Sequence, residues 1–392
     1  MSKNIVIISN YYYPEIGAAS NRIKNMAEGL KLEGNSVSII CPLPNYPNGE
    51  IFKKYKKKFR VNETIKGISV IRYWIYPTIS KKPLLRFFSM ISFAITLWCS
   101  VFKLCKKKPD LIIVQSPPLL IAFSGLLLSK LLRVKNILNV SDIWPLSALE
   151  LGVIKKGKFY RFLEKIERKN YLMATKVVGQ SEEIINHVCK KVDRKTLIYR
   201  NTPIYKEYDE NNRSKNLTIV YAGLLGFAQG ILKICKNIDF EKLNIEFHIY
   251  GAGMEEKEIV AYIKKGGKPI YFHGSVSALE IKSKIRNYDI ALVPLLKTIY
   301  GAVPSKIFEM MQLGMPMLYI GGGEAAEIIK KNSIGLVSKP DDFITFEENI
   351  LLYKNMSDVD YYTYVKNNLS AHKKEFHLSF QLKKLNQFII PQ

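Results

Sequence analysis

The chain is poor in the residues that most often announce a mechanism. Its 392 residues include 5 histidines and 5 cysteines. The cysteines (Cys41, Cys99, Cys105, Cys189, Cys235) are odd in number, scattered and without a C-x-x-C pair. That pattern excludes a disulfide framework and a zinc ribbon, and it predicts buried free thiols in a reducing compartment. No cluster of His, Cys or carboxylates has metal-ligand spacing, so no metal and no other cofactor is expected. Asp358-Val359-Asp360 has the D-x-D form of a metal-binding pair but follows no apolar strand, which predicts a solvent-facing position. Arginine is also scarce, 11 of 59 basic residues, although the net charge is +25. With no zinc-finger spacing, no aromatic RNA-binding signature and no reading helix, no nucleic-acid partner is expected. The lysine surplus suits phosphate-rich ligands or an anionic membrane surface. A secretory leader is missing from the pattern, since Ile5–Ile8 is too short an apolar run and flows into a strand. The expected location is cytoplasmic, peripheral on the inner face of the membrane.

What is present is a globular α/β pattern, 47% apolar, long enough for two domains. Short β-branched runs (Lys3–Ser9, Ser36–Cys41, Ile68–Tyr73, Leu111–Gln115, Asn136–Val140, Lys176–Gly179) alternate with helical spacings such as Asn21–Leu32 and Lys158–Leu172. Ser116-Pro117-Pro118 predicts a helix start with Ser as N-cap. A polar stretch, Tyr205–Asn216, reads as a linker, after which strands recur at Leu217–Ala222, Ile245–Tyr250, Ile270–His273, Ile290–Leu295 and Met315–Ile320. Strand–helix–strand units of this kind predict parallel sheets covered by helices on both faces. His248 and His273 fall inside strand patterns and are expected to be satisfied core residues.

Leu84–Phe102 is apolar except for Arg86, Ser89, Ser92, Thr96 and Ser100, which form one narrow helical stripe. Such a helix is expected to bury more than one face; a helix that also dips into a bilayer surface beside Lys106–Lys108 is the alternative. It is short for a span, which needs roughly 20 apolar residues.

The most informative stretch is Tyr300–Pro316, Y-G-A-V-P-S-K-I-F-E-M-M-Q-L-G-M-P. Pro304 and Ser305 open a helix between two apolar strands, and Gly314 closes it at the left-handed C′ position. Backbone N–H groups of Val303 to Lys306 would face an anion at the helix N-terminus, with Ala302 in the approach and Lys306 adding charge. Glu309 lies roughly 6 Å further along the axis from Ser305, about the separation of a diphosphate from its ribose diol. An ordinary helix with an exposed Glu is the plain alternative.

Other pieces lie where strands end. Tyr11–Ser20 is a loop between the first strand and helix, in which Gly17 permits close backbone approach. Asp142 follows strand Asn136–Val140 and could orient or deprotonate a hydroxyl, or simply cap a turn. Gly223 and Gly226 follow a strand, as do Gly251-Ala252-Gly253 and Gly274-Ser275-Val276; each fits a ligand loop or a tight turn.

Together these motifs resemble glycosyltransferase family 4, from the first strand to about residue 340. The helix resembles the family's nucleotide-binding helix, with Glu309 as the second Glu of its E-x7-E pattern; Gly301 stands where the first Glu, which reaches the donor sugar, would be. Y-x-P-E-x-G-A-A-S, Ser116–Leu120 and Asp142–Ala148 resemble the bacterial capsule and O-antigen branch that includes fucosamine transferases, although Ser141 replaces the His common before the Asp. The resemblance implies a GT-B fold, two Rossmann-like domains facing a central cleft: residues 1–203 for the acceptor, 204–375 for the nucleotide sugar, and a helix over 376–390 returning to the first domain. It implies a retaining, metal-independent transferase moving an N-acetylated or 6-deoxy aminosugar from a UDP-sugar to a lipid-linked or growing glycan. Gly223 and Gly226 would then face the diphosphate, Gly251 and Val276 the uracil. The Arg and Lys usual near Gly226 are replaced, leaving Lys306, or less directly Arg200, to meet the leaving charge. A UDP-sugar 2-epimerase of the same fold and a non-catalytic membrane-surface scaffold of a glycan assembly complex are the alternatives.

Overall fold

The computed structural model describes residues 2–80, 82–202, 213–214, 216–266 and 269–389. It divides into two compact units, one comprising Met1–Asn201 and Leu378–Gln392, the other Thr202–His377. Most of the expected linker, Tyr205–Asn216, lies outside the described residues.

In order along the chain, the first unit contains strands β1 (Asn4–Ile8), β2 (Ser36–Pro42), β3 (Arg60–Ile65), β4 (Ile68–Tyr73), β5 (Leu111–Ser116), β6 (Lys135–Val140), β7 (Lys176–Gly179) and β8 (Lys195–Ile198). Its helices are α1 (Ala18–Leu32), α2 (Pro83–Thr96), α3 (Val101–Lys106), α4 (Leu119–Leu131), α5 (Leu146–Glu150), α6 (Lys158–Met173) and α7 (Glu182–Cys189). The second unit has β9 (Thr218–Leu224), β10 (Glu246–Ala252), β11 (Ile270–Gly274), β12 (Ile290–Pro294), β13 (Met317–Ile320) and β14 (Gly335–Ser338). Its helices are α8 (Ile231–Asn237), α9 (Phe240–Leu243), α10 (Glu256–Lys264), α11 (Ala278–Ile285), α12 (Ser305–Gln312), α13 (Gly323–Lys331), α14 (Phe343–Asn355) and α15 (Asp358–Ala371); α16 (Leu378–Ile389) belongs to the first unit.

The first sheet runs β3-β4-β2-β1-β5-β6-β7-β8, parallel except for the β3–β4 pair. The second runs β11-β10-β9-β12-β13-β14 and is parallel. Both orders follow from uninterrupted apolar strands such as Ile5–Ile8 and Ile290–Val293, which need helices on both faces to leave water. Each sheet reverses its winding once, between β1 and β5 and between β9 and β12, and a crevice outside the carboxyl ends of the strands is the ligand position of such sheets. In the first unit, α16 packs on α1: a Cβ placed on Gly29 would collide with Leu382 at 2.3 Å, so glycine lets the two helices touch.

Four expectations change. Ser116 is the last residue of β5, not a helix cap: it pairs with Val140 in the sheet, where Ser141 N–H donates to its carbonyl, and α4 starts only at Leu119 behind Pro118. Only Cys41 and Cys235 are buried; Cys99, Cys105 and Cys189 sit on outward helix faces. His248 and His273 are not core residues: they stack with a 3.0 Å contact between Nδ1 and Nε2 on one face of the second sheet, where Glu246 meets His248 at 3.2 Å. Finally, the run Leu84–Lys106 buries only one apolar side: Phe93, Leu97 and Leu104 face the core, whereas Leu84, Phe88, Ile95 and Phe102 are exposed. Among the described residues it is the one helical run long and apolar enough to cross a membrane by length and composition.

Candidate functional site

The second unit assembles the predicted anion-binding end. Helix α12 begins at Ser305 behind Pro304, and no side chain caps it; Ile307 N–H donates to Pro304 O at 3.1 Å, and the donors ahead of it face the position an external acceptor would take. Ile307, Phe308, Met310 and Met311 bury one face of α12 and fix its direction. Gly314, at φ 65, ends it with Gly314 N–H donating to Met311 O (3.2 Å) and Met315 N–H to Met310 O (3.0 Å). Val303 is buried in the core against which Val276, from the turn after β11, also packs. Lys306 is not a free charge: its Nζ is 2.5 Å from Glu309 Oε2, one turn on, with side chains 34% and 18% exposed. Gly301 adopts φ 85, a left-handed conformation in which a glutamate would be strained. The loop therefore has a backbone reason for lacking a carboxylate there.

The glycine turns lie beside this helix start at the strand ends. Gly251 pairs with Gly223 across β10 and β9, and a Cβ on Gly251 would stand 1.9 Å from Gly223 O. Leu225 N–H donates to Ala252 O (3.0 Å) and Glu255 N–H to Leu225 O (3.1 Å), so the two turns form one backbone layer. At Gly223 and Gly226 the crowding atoms belong to the Tyr221 and Gln229 side chains. Lys297 N–H donates to Ala228 O at 3.2 Å, joining this layer to the loop before α12 across the β9–β12 reversal. Phe227 and Leu224 project from it into solvent.

Sequence reasoning passed over a further turn, Gly321-Gly322-Gly323-Glu324, at the end of β13. It places a buried Glu324 in the first turn of α13. A Cβ on Gly322 would lie 3.9 Å from Thr298 Oγ1, so the turn adjoins the loop leading to α12. Three glycines directly after an apolar strand were the available signal.

The first unit gathers its own polar groups at the β1–β5 reversal. Gly17 ends the β1 loop directly before α1. Glu15, also passed over, is buried and accepts from the N–H groups of Asn45 (2.9 Å), Tyr46 (3.0 Å) and Tyr12 (3.3 Å), tying that loop to the one after β2. Burial pushes its carboxyl pKa up, and the three donors hold the rise back. The Arg72 guanidinium, fully buried, pairs with Glu63 at 2.6 Å and donates to Tyr13 O. Asp142 follows β6 as predicted and heads α5, where the Ser147 hydroxyl and Ile143 N–H donate to it. Burial raises its pKa against these donors and against Arg22. Arg22, from α1, is the residue the sequence hid: burial pulls its pKa down to about 10 against the opposing charge of Asp142, and its Nε has no partner among the described residues. Arg200 instead donates to Gln180 O (3.3 Å), a bond within the fold. Among the described residues no group of three or more His, Cys, Asp or Glu is placed to hold a metal. Asp358 and Asp360 lie in the exposed first turn of α15.

Comparison with known proteins gives the family. The family described as Glycosyl transferase 4-like domain matches residues 17–195, and Glycosyl transferases group 1 matches residues 216–353. The chain belongs to the family 4 glycosyltransferases of GT-B fold. It is 23% identical over 338 residues to the putative colanic acid biosynthesis glycosyl transferase WcaI of Escherichia coli (strain K12), covering 79% of this chain and 81% of that one. Among solved structures it is similar to sucrose-phosphate synthase (tll1590) from Thermosynechococcus elongatus, with TM-score 0.73, 13% identity and 98% of each chain covered. Anabaena Alr3699/HepE, solved in complex with UDP and glucose, matches with TM-score 0.68 and 13% identity over 99% of each chain.

Proposed function

We propose that this glycosyltransferase takes a UDP-sugar, an N-acetylated or 6-deoxy aminosugar by its family branch, and transfers it with retention to a hydroxyl of a lipid-linked or growing cell-surface polysaccharide. The reading includes metal independence and a peripheral position at the inner membrane face. The observation that carries it is the uncapped start of α12 with Lys306 and Glu309 one turn apart. The relative's colanic acid role and the UDP held by HepE support it.

In this mechanism the α12 N–H groups and Lys306 stabilise charge on the departing diphosphate, an effect of the oxyanion-hole kind. Glu309 accepts from both ribose hydroxyls while still steadying Lys306. Val303 and Val276 wall the uracil side, and Gly251 and Gly223 keep the flanking turns flat. The bond from the sugar's anomeric carbon to the diphosphate oxygen breaks, the acceptor oxygen bonds that carbon on the same face, and the acceptor proton passes to the leaving phosphate. Asp142, its pKa raised by burial, orients the acceptor hydroxyl.

The test is incubation with a panel of UDP-sugars, with and without membrane lipid extract and with and without a chelator. UDP release that needs lipid and survives chelation is the expected result. Isomerisation of the sugar without acceptor would make the protein a 2-epimerase, and inertness towards every donor a scaffold.

A further inference from the structure

Residues 84–106 are apolar on two sides of the helix, and only one of them is buried. Along α2, the 3-10 turn Leu97–Ser100 and α3, the inner side carries Phe93, Leu97 and Leu104 together with the hydroxyl stripe, while Arg86 stays exposed. Ser92 Oγ accepts from Tyr76 N–H (2.8 Å) and donates to Ser89 O (2.7 Å), and Thr96 Oγ1 donates to Trp74 O (2.7 Å). Trp98 Nε1–H donates to Ser124 Oγ on α4 at 2.9 Å, and that hydroxyl donates back to Ala94 O at 2.7 Å. The outer stripe, at helical spacing, holds Leu84 (64% exposed), Phe88 (52%), Ile95 (63%) and Phe102 (79%). Side chains of this size stay in water at a cost, and an aligned row of them marks an interaction face.

Charge identifies the occupant. Between Glu63 and Asp110 the sequence has no carboxylate, while Lys82 and Arg86 stand at the start of the helix and Lys103 and Lys106–Lys108 at its end. Those two basic clusters lie roughly 36 Å apart along the axis at 1.5 Å per residue, with the apolar row between them. A second copy docking on this face would set two strongly basic surfaces against each other. A span across a bilayer would strip Ser92, Thr96 and Trp98 from their partners in the unit. A helix lying in the plane of an anionic bilayer satisfies everything: the row enters the acyl boundary, both clusters meet headgroups, and Trp74 and Tyr76, partly exposed just before the helix, sit at interfacial depth.

We infer that the outer face of residues 84–106 is a docking surface for an anionic lipid bilayer, in which the helix lies parallel to the membrane without crossing it. The inference rests on the lipid-linked acceptor reading for its purpose, not for its geometry.

The full-length chain is sedimented with vesicles of phosphatidylcholine alone or with one-third phosphatidylglycerol, at low and high salt, beside the double variant Ile95→Asp/Phe102→Asp and the charge variant Lys106→Glu/Lys107→Glu. Wild type is expected to prefer anionic vesicles and to lose them as salt rises. Removing the apolar pair weakens binding at least about tenfold. Each Lys→Glu weakens it about fivefold or more. Both substituted side chains in the double variant are exposed, and unchanged UDP affinity in it reports an intact fold. Equal binding to neutral and anionic vesicles, wild-type binding by the double variant, or a dimer that the double variant abolishes would each overturn the inference. Loss of vesicle binding with UDP affinity retained, or the reverse, tells its failure apart from failure of the nucleotide reading.

Discussion

The ion pair on α12 supports a quantitative prediction. Glu309 faces away from the buried side of its helix and touches Lys306, so removing its carboxylate leaves Ile307, Phe308, Met310 and Met311 packed as before. A partly exposed pair at i,i+3 contributes only about 0.5 kcal/mol to stability, and Glu309→Ala should therefore melt almost where wild type does. Binding is different. Two ribose hydroxyls donating to a carboxylate are worth about 1.5 kcal/mol or more each, and part of that replaces water already on the partly exposed side chain. A net loss of about 2–3 kcal/mol follows, roughly 30- to 150-fold in UDP affinity by calorimetry. The second arm of the assay uses 2′-deoxy-UDP. Wild type should bind it about tenfold more weakly than UDP, and Glu309→Ala should bind both alike, since the discriminating acceptor is gone. A variant that binds UDP within a factor of about two of wild type, or that still distinguishes the two nucleotides, refutes the ribose assignment.

Three further outcomes are expected. Gly251→Ala forces a Cβ to within 1.9 Å of Gly223 O at a φ of 150, so denaturant unfolding of the full chain should show a loss of at least about 2 kcal/mol. Glu167 is buried between His187 (2.8 Å), Tyr171 (2.9 Å) and Lys191 (2.5 Å); burial alone would raise its pKa, but His187 and Lys191 bring it below the ordinary value of 4.5. A depressed carboxylate stabilises the fold above its unfolded pKa and stops doing so as pH falls through its folded pKa, so Glu167→Gln should cost about 2–3 kcal/mol in urea at neutral pH, with the gap closing below pH 4.5. Asp142→Asn keeps an oxygen for Ser147 and Ile143 and should leave UDP affinity unchanged while lowering kcat about 100-fold or more; an unchanged kcat would make Asp142 a tie between the turn after β6 and Ser147 of α5 and nothing else.

What could be read from the sequence followed from how strongly local chemistry constrains each piece. Strands buried on both faces announce themselves as apolar runs, and β1, β5 and β12 lie within a residue or two of their expected bounds. Helix α12 was equally plain, because Pro304 and Gly314 fix its two ends by backbone geometry alone. Strand β3 was missed since Arg60–Ile65 has only two apolar residues, Val61 and Ile65, with three polar ones in a row between them on a half-exposed edge. Strands β8 and β14, four residues each, were passed over as well, although β7, no longer than they are, was read with its observed bounds.

The site was legible one side chain at a time and not in its pairings. Lys306 and Glu309 stand at a spacing that brings side chains together on a helix, yet each had been given a separate partner in the ligand. Arg22 and Asp142 lie on different secondary elements far apart in sequence, and only the β1-β5-β6 order brings them to one sheet edge. The run 84–106 shows the same limit from the other side. Composition gave its stripe of serines and threonine correctly, but periodicity cannot say which stripe faces inward. The inner stripe was decided by acceptors and donors on Trp74, Tyr76 and Ser124, which belong to the loop after β4 and to α4. Once those bonds hold the hydroxyls inward beside Phe93, Leu97 and Leu104, the opposite row of Leu84, Phe88, Ile95 and Phe102 has nowhere to turn but outward, and a helix expected to bury more than one face leaves an apolar one exposed.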